Sequence, residues 1–279
     1  MRILVTNDDG VDSVGLHILA RAMAPFGEVT VVAPDQEYSG ASAAIGAIWN
    51  MNPEVHKLHL EGVATSWAVT GPPGLCVMFA RLGAFGPQPD LIVSGINPGA
   101  NVGRSVYHSG TIGAALTGRN GRIPGIAVSQ SVSGFGVEGQ AWEESLLNQK
   151  WDVAATVAAV VTQSVIEDIE AGRAVDKDGH AVVLNVNVPN VDLHEIKGFR
   201  WTEVAAGPPR SIASAVLEPK LGHENAFHVK MDWGSEKNLV PGTDTATVMD
   251  DFVSLTWLSR IIAQSGPNDS IDNGLSALL

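Results

Sequence analysis

The sequence predicts an α/β fold: a Rossmann-like core of parallel strands with helices on both faces, followed by extended arms. Three observations predict it. Short β-branched runs alternate with helically spaced apolar residues through the first half. Clusters of Asp, Asn, Ser and Gly follow those runs, where ligands meet the carboxyl ends of strands in open sheets. Later, the alternation gives way to extended stretches broken by Gly, Pro and His, without helices to cover them.

Ile3–Thr6 is the first strand, stopped by Asn7-Asp8-Asp9-Gly10. Leu16, Leu19, Ala20 and Met23 follow at helical spacing, and Val29–Ala33 is a second strand closed by Pro34. Leu75, Met78, Phe79 and Leu82 mark a helix opened by Pro72-Pro73, since proline suits the first helical turn. Leu91–Val93 reads as a third buried strand, the region of Thr111–Gly118 as a helix and Ile126–Ser129 as a fourth strand. A long helix is expected around Glu143–Glu170, then a strand at Val182–Val188 closed by Pro189 and a last strand at Val253–Trp257. Phe199–Val204 and Phe227–Trp233 read as arms, and extended arms are common dimerisation devices. The expected organisation is one α/β domain over 1–258, with dimerisation arms around 199–235 and a C-terminal helix and tail over 259–279.

Composition excludes several classes. Hydrophobic residues make up 45% and charged residues 17%, enough to bury a sizeable core. A net charge of −13 argues against a nucleic-acid duplex as partner and against anionic membrane surfaces. Met1–Thr6 reaches Asp8-Asp9 too early for a signal-peptide core, and the apolar stretch Val153–Val161 is far short of a membrane span. The single cysteine, Cys76, excludes an internal disulfide and fits a cytoplasmic protein; its apolar helical context points to the core. The His residues lack zinc-ligand spacing, and the seven tryptophans are spread as core or interface material.

The topology brings four polar clusters to one rim: Asn7–Gly10, Asp35 with Ser39-Gly40, Ser94–Asn97 opening a Gly-rich loop over Gly95–Gly103, and Ser109-Gly110-Thr111. Adjacent carboxylates repel unless a cation sits beside them, and Asp8-Asp9 with Ser and Asn oxygens nearby suits Mg²⁺ or Mn²⁺. Alone, Asp-Asp-Gly reads first as a cap or turn; the clustering reverses that preference in favour of the cation. Backbone amides exposed by glycine, at a helix start, form an anion cradle suited to phosphate. Residues 90–136 carry three arginines (Arg104, Arg119, Arg122) against Asp90 alone, a local excess of positive charge. No Walker pattern or dinucleotide fingerprint is present. His108 beside the cradle could bind phosphate or protonate a leaving oxygen, or serve packing alone.

Asn7-Asp8-Asp9-Gly10, Val31–Gly40 with its Ala-Pro-Asp and Ser-Gly, Ser94–Gly103 and Ser109–Ala115, in that order, closely resemble the SurE family of survival-protein nucleotidases. Leu184–Pro189 and Thr243–Leu255 extend the likeness. The resemblance implies a metal-dependent phosphomonoesterase acting on nucleoside 5′- and 3′-monophosphates, built on a Rossmann-like core that assembles as homodimers or homotetramers. It places the metal on Asp8, Asp9, Ser39 and Asn97, with Asp8, Asp9 and Asn97 at the catalytic centre. Phosphate is then expected near Asn97, His108, Ser109, Gly110 and Thr111.

The surroundings depart from the family pattern. Ser13-Val14-Gly15 replaces the usual Ala-Pro-Gly, His108 replaces a Tyr, and Arg104-Ser105 replaces acids. Gly71-Pro72-Pro73-Gly74-Leu75-Cys76 loses a carboxylate, and Thr117-Gly118 stands for Glu-Gly. Two other readings therefore stand beside the nucleotidase: a phosphatase for a sugar phosphate or specialised-metabolite phosphate, and a non-catalytic phosphometabolite-binding module.

Overall fold

The computed structural model describes residues 1–46, 52–132, 146–207, 212–234, 239–259, 261 and 276. Its centre is a nine-stranded sheet in the order β3-β4-β2-β1-β5-β6-β7-β11-β8. The strands are β1 (Arg2–Thr6), β2 (Glu28–Pro34), β3 (Val55–Leu58), β4 (Thr65–Val69), β5 (Leu91–Pro98), β6 (Gly125–Gln130), β7 (Val183–Val188), β8 (Phe199–Trp201) and β11 (Val253–Trp257). Pairing is parallel except at β3–β4 and β7–β11.

Helices cover both faces, as expected. On one face, α1 (Val14–Met23) and α4 (Trp151–Glu170) pack Leu16, Leu19, Met23, Ala154, Ala158 and Val165 against Ile3, Val5 and Val93. On the other, α2 (Pro73–Arg81) and α3 (Gly110–Asn120) set Leu75, Cys76, Val77 and Ala114 against Leu4, Val32 and Ile92. Alternate residues of β1 thus serve opposite cores, as the two-residue period of a strand requires. Cys76 is buried, and burial pushes its thiol up, which suits a packing role. No described helix is long and apolar enough to cross a membrane.

Several elements differ from expectation. The β3–β4 pair at one sheet edge was not anticipated, and β5 continues through Gly95 to Pro98, so the Gly-rich loop begins only at Gly99. The helix expected over Glu143–Glu170 is interrupted: Leu146 is helical, a turn follows, and the long helix starts at Trp151, the Lys150 amide at the break donating to Asn190 Oδ1 at 2.9 Å; Glu143 itself lies outside the described residues. Phe199–Val204 is no free arm. Its β8 segment pairs in parallel with β11, and the Thr202 amide donates to the Leu255 carbonyl at 2.9 Å, so the available sheet edge captures it.

The second expected arm stands apart as a ribbon of β9 (Ile212–Pro219) and β10 (Phe227–Trp233). Register Val229↔Leu217 places Phe227, Val229, Met231 and Leu217 on one face. All four are half-exposed or more. The opposite face carries the Lys230–Glu218 ion pair. The helix and tail expected over 259–279 lie almost entirely outside the described residues, of which 259, 261 and 276 remain.

Candidate active site

β1 lies between β2 and β5, and the chain leaves it in one direction for β2 and returns on the other side for β5. The crevice at such a switch point is where open α/β sheets place their ligands. Asn7–Gly10 emerges there. Asn7 is fully buried, and its Nδ2 donates to the Gly10 carbonyl (3.0 Å) and to Ser13 Oγ (2.7 Å), tying the turn to the residue that caps α1.

Asp8 lies buried against the start of α3. Gly110 N–H donates to its Oδ2 at 3.0 Å, and Thr111 Oγ donates to its Oδ1 at 2.6 Å. The positive end of the α3 dipole therefore faces a carboxylate of the chain itself. Burial pushes the Asp8 carboxyl above its ordinary range, opposed by the Thr111 hydroxyl and the backbone amides. Gly110 permits the approach: a Cβ there would lie 2.7 Å from Asp8 Cβ.

Asp9 is less fully supported. Its Oδ2 is buried without a hydrogen-bond partner, as is Asn7 Oδ1. Burial pushes its carboxyl well above the ordinary range, and the charges of Asp8 and Glu37 push in the same direction. A buried acid beside a part-buried one whose Oδ2 is orphaned forms an arrangement that a hard cation relieves.

The remaining expected residues arrive on neighbouring segments. The Tyr38 amide donates to the Asp8 carbonyl at 2.7 Å and the Ser42 amide to the His108 carbonyl at 3.0 Å, which draws the Ser39 loop over the rim. Ser39 is exposed and its hydroxyl donates to Glu37 Oε1 at 2.8 Å. Asn97, half-buried at the end of β5, donates through Nδ2 to the Gly99 carbonyl at 2.7 Å. His108 is exposed. Ser109 is the N-cap of α3, its Oγ accepting from Ile112 N at 3.1 Å. Direct contact thus joins Asp8, Gly110 and Thr111, while Ser39 and Asn97 share the rim but bond elsewhere. Among the described residues, no three His, Cys, Asp or Glu side chains gather as a metal-holding group; the expected donor set has two acids completed by neutral oxygens.

Sequence reading missed the supports of the Gly-rich loop. Asn101 is buried: its amide N–H donates to Asn187 Oδ1 (2.7 Å), its Nδ2 to Ser129 Oγ (2.9 Å), and its carbonyl accepts from Asn185 Nδ2 (2.9 Å). Asn residues at alternate positions of a fully buried strand were the available signal. Asp244, fully buried at the start of α5 (Asp244–Met249), accepts from Gly103 N–H at 3.0 Å.

These features define a doubly wound α/β protein with an acidic crevice at its switch point, framed by a helix N-terminus and a glycine-rich loop. Comparison with known families is specific. The family described as Survival protein SurE matches residues 3–209, and the chain belongs to that family. It is similar to the 5′/3′-nucleotidase SurE of Klebsiella pneumoniae (strain 342), 34% identical over 259 residues covering 92% of this chain and 90% of that one. It is likewise similar to the 5′/3′-nucleotidase SurE of Escherichia coli O127:H6, 32% identical over 279 residues covering 100% and 98%. Among solved structures, the SurE protein from Aquifex aeolicus superposes with a TM-score of 0.72 at 27% identity, covering 100% of this chain and 99% of that one.

Proposed function

We propose that the protein is a divalent-metal-dependent phosphomonoester hydrolase acting on nucleoside 5′- and 3′-monophosphates. The observation that carries this reading is the Asp8-Asp9 pair, Asp8 buried and Asp9 part-buried with an unsatisfied buried oxygen, at the switch point of a chain whose relatives bear the name 5′/3′-nucleotidase.

Asp8, Asp9, Ser39 and Asn97 are assigned as the cation's protein ligands, Mg²⁺ or Mn²⁺ being the ions their hard oxygens suit. Their hydrogen bonds fit that task. The Ser39 proton points to Glu37, leaving the hydroxyl lone pairs free, and Asn97 spends its amide nitrogen on Gly99, leaving Oδ1 to coordinate. When bound, such a cation neutralises phosphate oxygens and acidifies a coordinated water. Asn97 and His108 are assigned to the phosphate. Gly110 and Thr111 act on it through Asp8, whose carboxylate they hold in one orientation, and Ser109 acts through the helix cap.

The apolar face of the β9–β10 ribbon is assigned to a second copy of the chain, making at least a homodimer. A two-stranded ribbon with one apolar face open to water is only marginally stable by itself.

Hydrolysis of 5′-AMP, 3′-AMP, glucose 6-phosphate and p-nitrophenyl phosphate, with Mn²⁺ or Mg²⁺ and after exhaustive chelation, tests the assignment. Metal-restored release of phosphate, favouring nucleotides over sugar phosphates, is expected. Undiminished turnover in chelator would sink the metal reading, and a preference for sugar phosphates would replace the substrate.

A further inference from the structure

Asp244 is a fully buried carboxylate with no cation paired to it among the described residues. Its oxygens are instead filled by donors from three places in the chain. Oδ2 accepts from Gly103 N–H (3.0 Å), 141 residues earlier. Oδ1 accepts from Ala205 N–H (2.9 Å), and from its neighbour Thr245 through N–H (2.7 Å) and hydroxyl (3.3 Å). The Asp244 amide in turn donates to the Glu203 carbonyl at 2.9 Å. A buried carboxylate satisfied only by neutral donors is a costly construction, justified where a particular backbone placement matters.

The placement at stake is that of Gly103. It lies on the connection between Asn97, at the end of β5, and Ser109, which caps α3. Its backbone adopts a φ of +56, and a Cβ there would approach Gly207 to 3.2 Å, so the loop runs tightly over the 205–207 segment. Arg104 Nε adds a bond to the Ala206 carbonyl at 3.2 Å. Residues 205–207 lead in sequence toward the β9–β10 ribbon, which begins at Ile212. One carboxylate therefore pins the site loop and the approach to the ribbon to the same point.

We propose that Asp244 is a positioning residue for the reaction: by holding Gly103 it fixes the loop that carries His108 to the rim, whereas Asn97 is held independently by β5–β6 pairing. This rests on the hydrolase reading above. It touches neither substrate nor cation, and its effect is carried through the backbone. Displacements of about 1 Å in groups that orient a substrate can cost about 10²-fold in rate, so loosening this one bond is expected to show in turnover.

Asp244→Asn separates the bonds. Its oxygen can still accept from Ala205 and Thr245, while its NH₂ opposes the Gly103 N–H, a donor against a donor. With saturating Mn²⁺ and p-nitrophenyl phosphate, kcat is expected to fall roughly tenfold or more while KM moves by less than about threefold. Calorimetric Mn²⁺ affinity is expected to stay within about threefold, because Asp8, Asp9 and Ser39 are untouched and Asn97 is held by its β5–β6 pairing. Amide hydrogen exchange should accelerate over residues 99–107 and remain at wild-type rates over residues 1–10. A role confined to global stability would instead raise exchange everywhere and leave kcat per folded molecule unchanged. That outcome, or unchanged exchange over 99–107, overturns the proposal. If the variant does not fold, exchange in the wild-type protein decides: Gly103, Ala205 and Thr245 amides should be protected together, and a Gly103 amide exchanging as free loop refutes the clamp. If the wild type hydrolyses no phosphomonoester with any metal, the hydrolase reading fails by itself, while the exchange measurements still judge the clamp.

Discussion

The Asp8-Asp9 rim and the β9–β10 ribbon break the usual partition of a folded chain in opposite directions. At the rim, the Asp8 carboxyl is buried beside the part-buried Asp9, whose inward Oδ2 has no partner. On the ribbon, Leu217, Phe227, Val229 and Met231 keep from 49% to 67% of their surface in water. Buried unpaired polar groups and clustered exposed apolar groups both cost free energy in an isolated chain, and both are removed by binding. The chemistry of each deficit names its remedy. Excess buried negative charge calls for a hard cation, whereas a one-sided apolar ribbon calls for another apolar surface.

The largest effect is expected where the rim's charge is halved. Asp9→Asn keeps the shape of the side chain but removes an anionic ligand, so Mn²⁺ affinity and kcat/KM should each fall by about 10²-fold or more. Calorimetry and a metal-dependent phosphatase assay measure the two losses. Without bound metal, the same variant should be more stable than the wild type, because it no longer buries a second charge beside Asp8. Wild-type Mn²⁺ affinity in Asp9→Asn would remove the ground for contrasting the two regions.

The ribbon should respond to charge in the opposite manner. Leu217→Glu with Val229→Lys places opposite charges on cross-strand neighbours, preserving the hairpin while making its outer face polar. The homodimer should then dissociate at least about tenfold more readily, the scale of losing central apolar contacts. Analytical ultracentrifugation reads the change. A wild-type chain sedimenting as a monomer at micromolar concentration contradicts the assigned partner outright.

Acidity sharpens the contrast, because only the rim titrates in this way. Burial holds the Asp8 and Asp9 carboxyls above the values they have in an unfolded chain. The metal-free folded protein therefore retains protons at Asp8 and Asp9 that the unfolded chain releases, and the stability these two contribute is lost as pH rises from about 4. That is opposite in sign to the contribution of Asp90, Asp176 and Asp192, whose carboxyls are held low. Metal must displace those protons, so Mn²⁺ affinity should increase with pH by up to about tenfold per pH unit for each proton released. Thermal melts of metal-free and metal-loaded protein across this range should diverge as pH rises. Curves that remain parallel would show that neither carboxyl is protonated in the fold.

The two regions also differ in how much of them the sequence discloses. Asp8, Asp9 and Asn97 stand at the ends of apolar runs, Ser39 in the loop after the second strand and Ser109–Thr111 at a helix start, so the strand–helix alternation brings them to one rim. The ribbon is visible as extended, helix-free sequence, and its second strand matches the bounds expected for it. The edges were not legible. β3 reads Val-His-Lys-Leu and is almost wholly exposed, and β8 has three exposed residues, too few to show alternation. Phe199–Val204 passes for an arm until β11 is seen to offer it an open sheet edge. The Asp244 clamp was hidden for a different reason. Its partners Gly103 and Ala205 donate through the backbone, and a main-chain donor leaves no mark in side-chain chemistry.

The smallest effect separates fold from chemistry at a single rim residue. Ser109 can be read from the sequence as a phosphate donor, yet its hydroxyl oxygen accepts from Ile112 N at 3.1 Å and closes the first turn of α3. Replacing such an N-cap with Ala costs about 1 kcal/mol, whereas Asn caps about as well as Ser. Ser109→Ala should therefore lower stability in a urea titration by about that amount, and Ser109→Asn should recover most of it. Removing one donor to a developing oxyanion lowers kcat by about 10² to 10³, so kinetics distinguish the roles cleanly. With the hydroxyl committed to the helix, kcat/KM in both variants should stay within about threefold of wild type. A drop of about 10² shared by Ala and Asn, without recovery in the capping variant, would move Ser109 from the support of the rim to the phosphate itself.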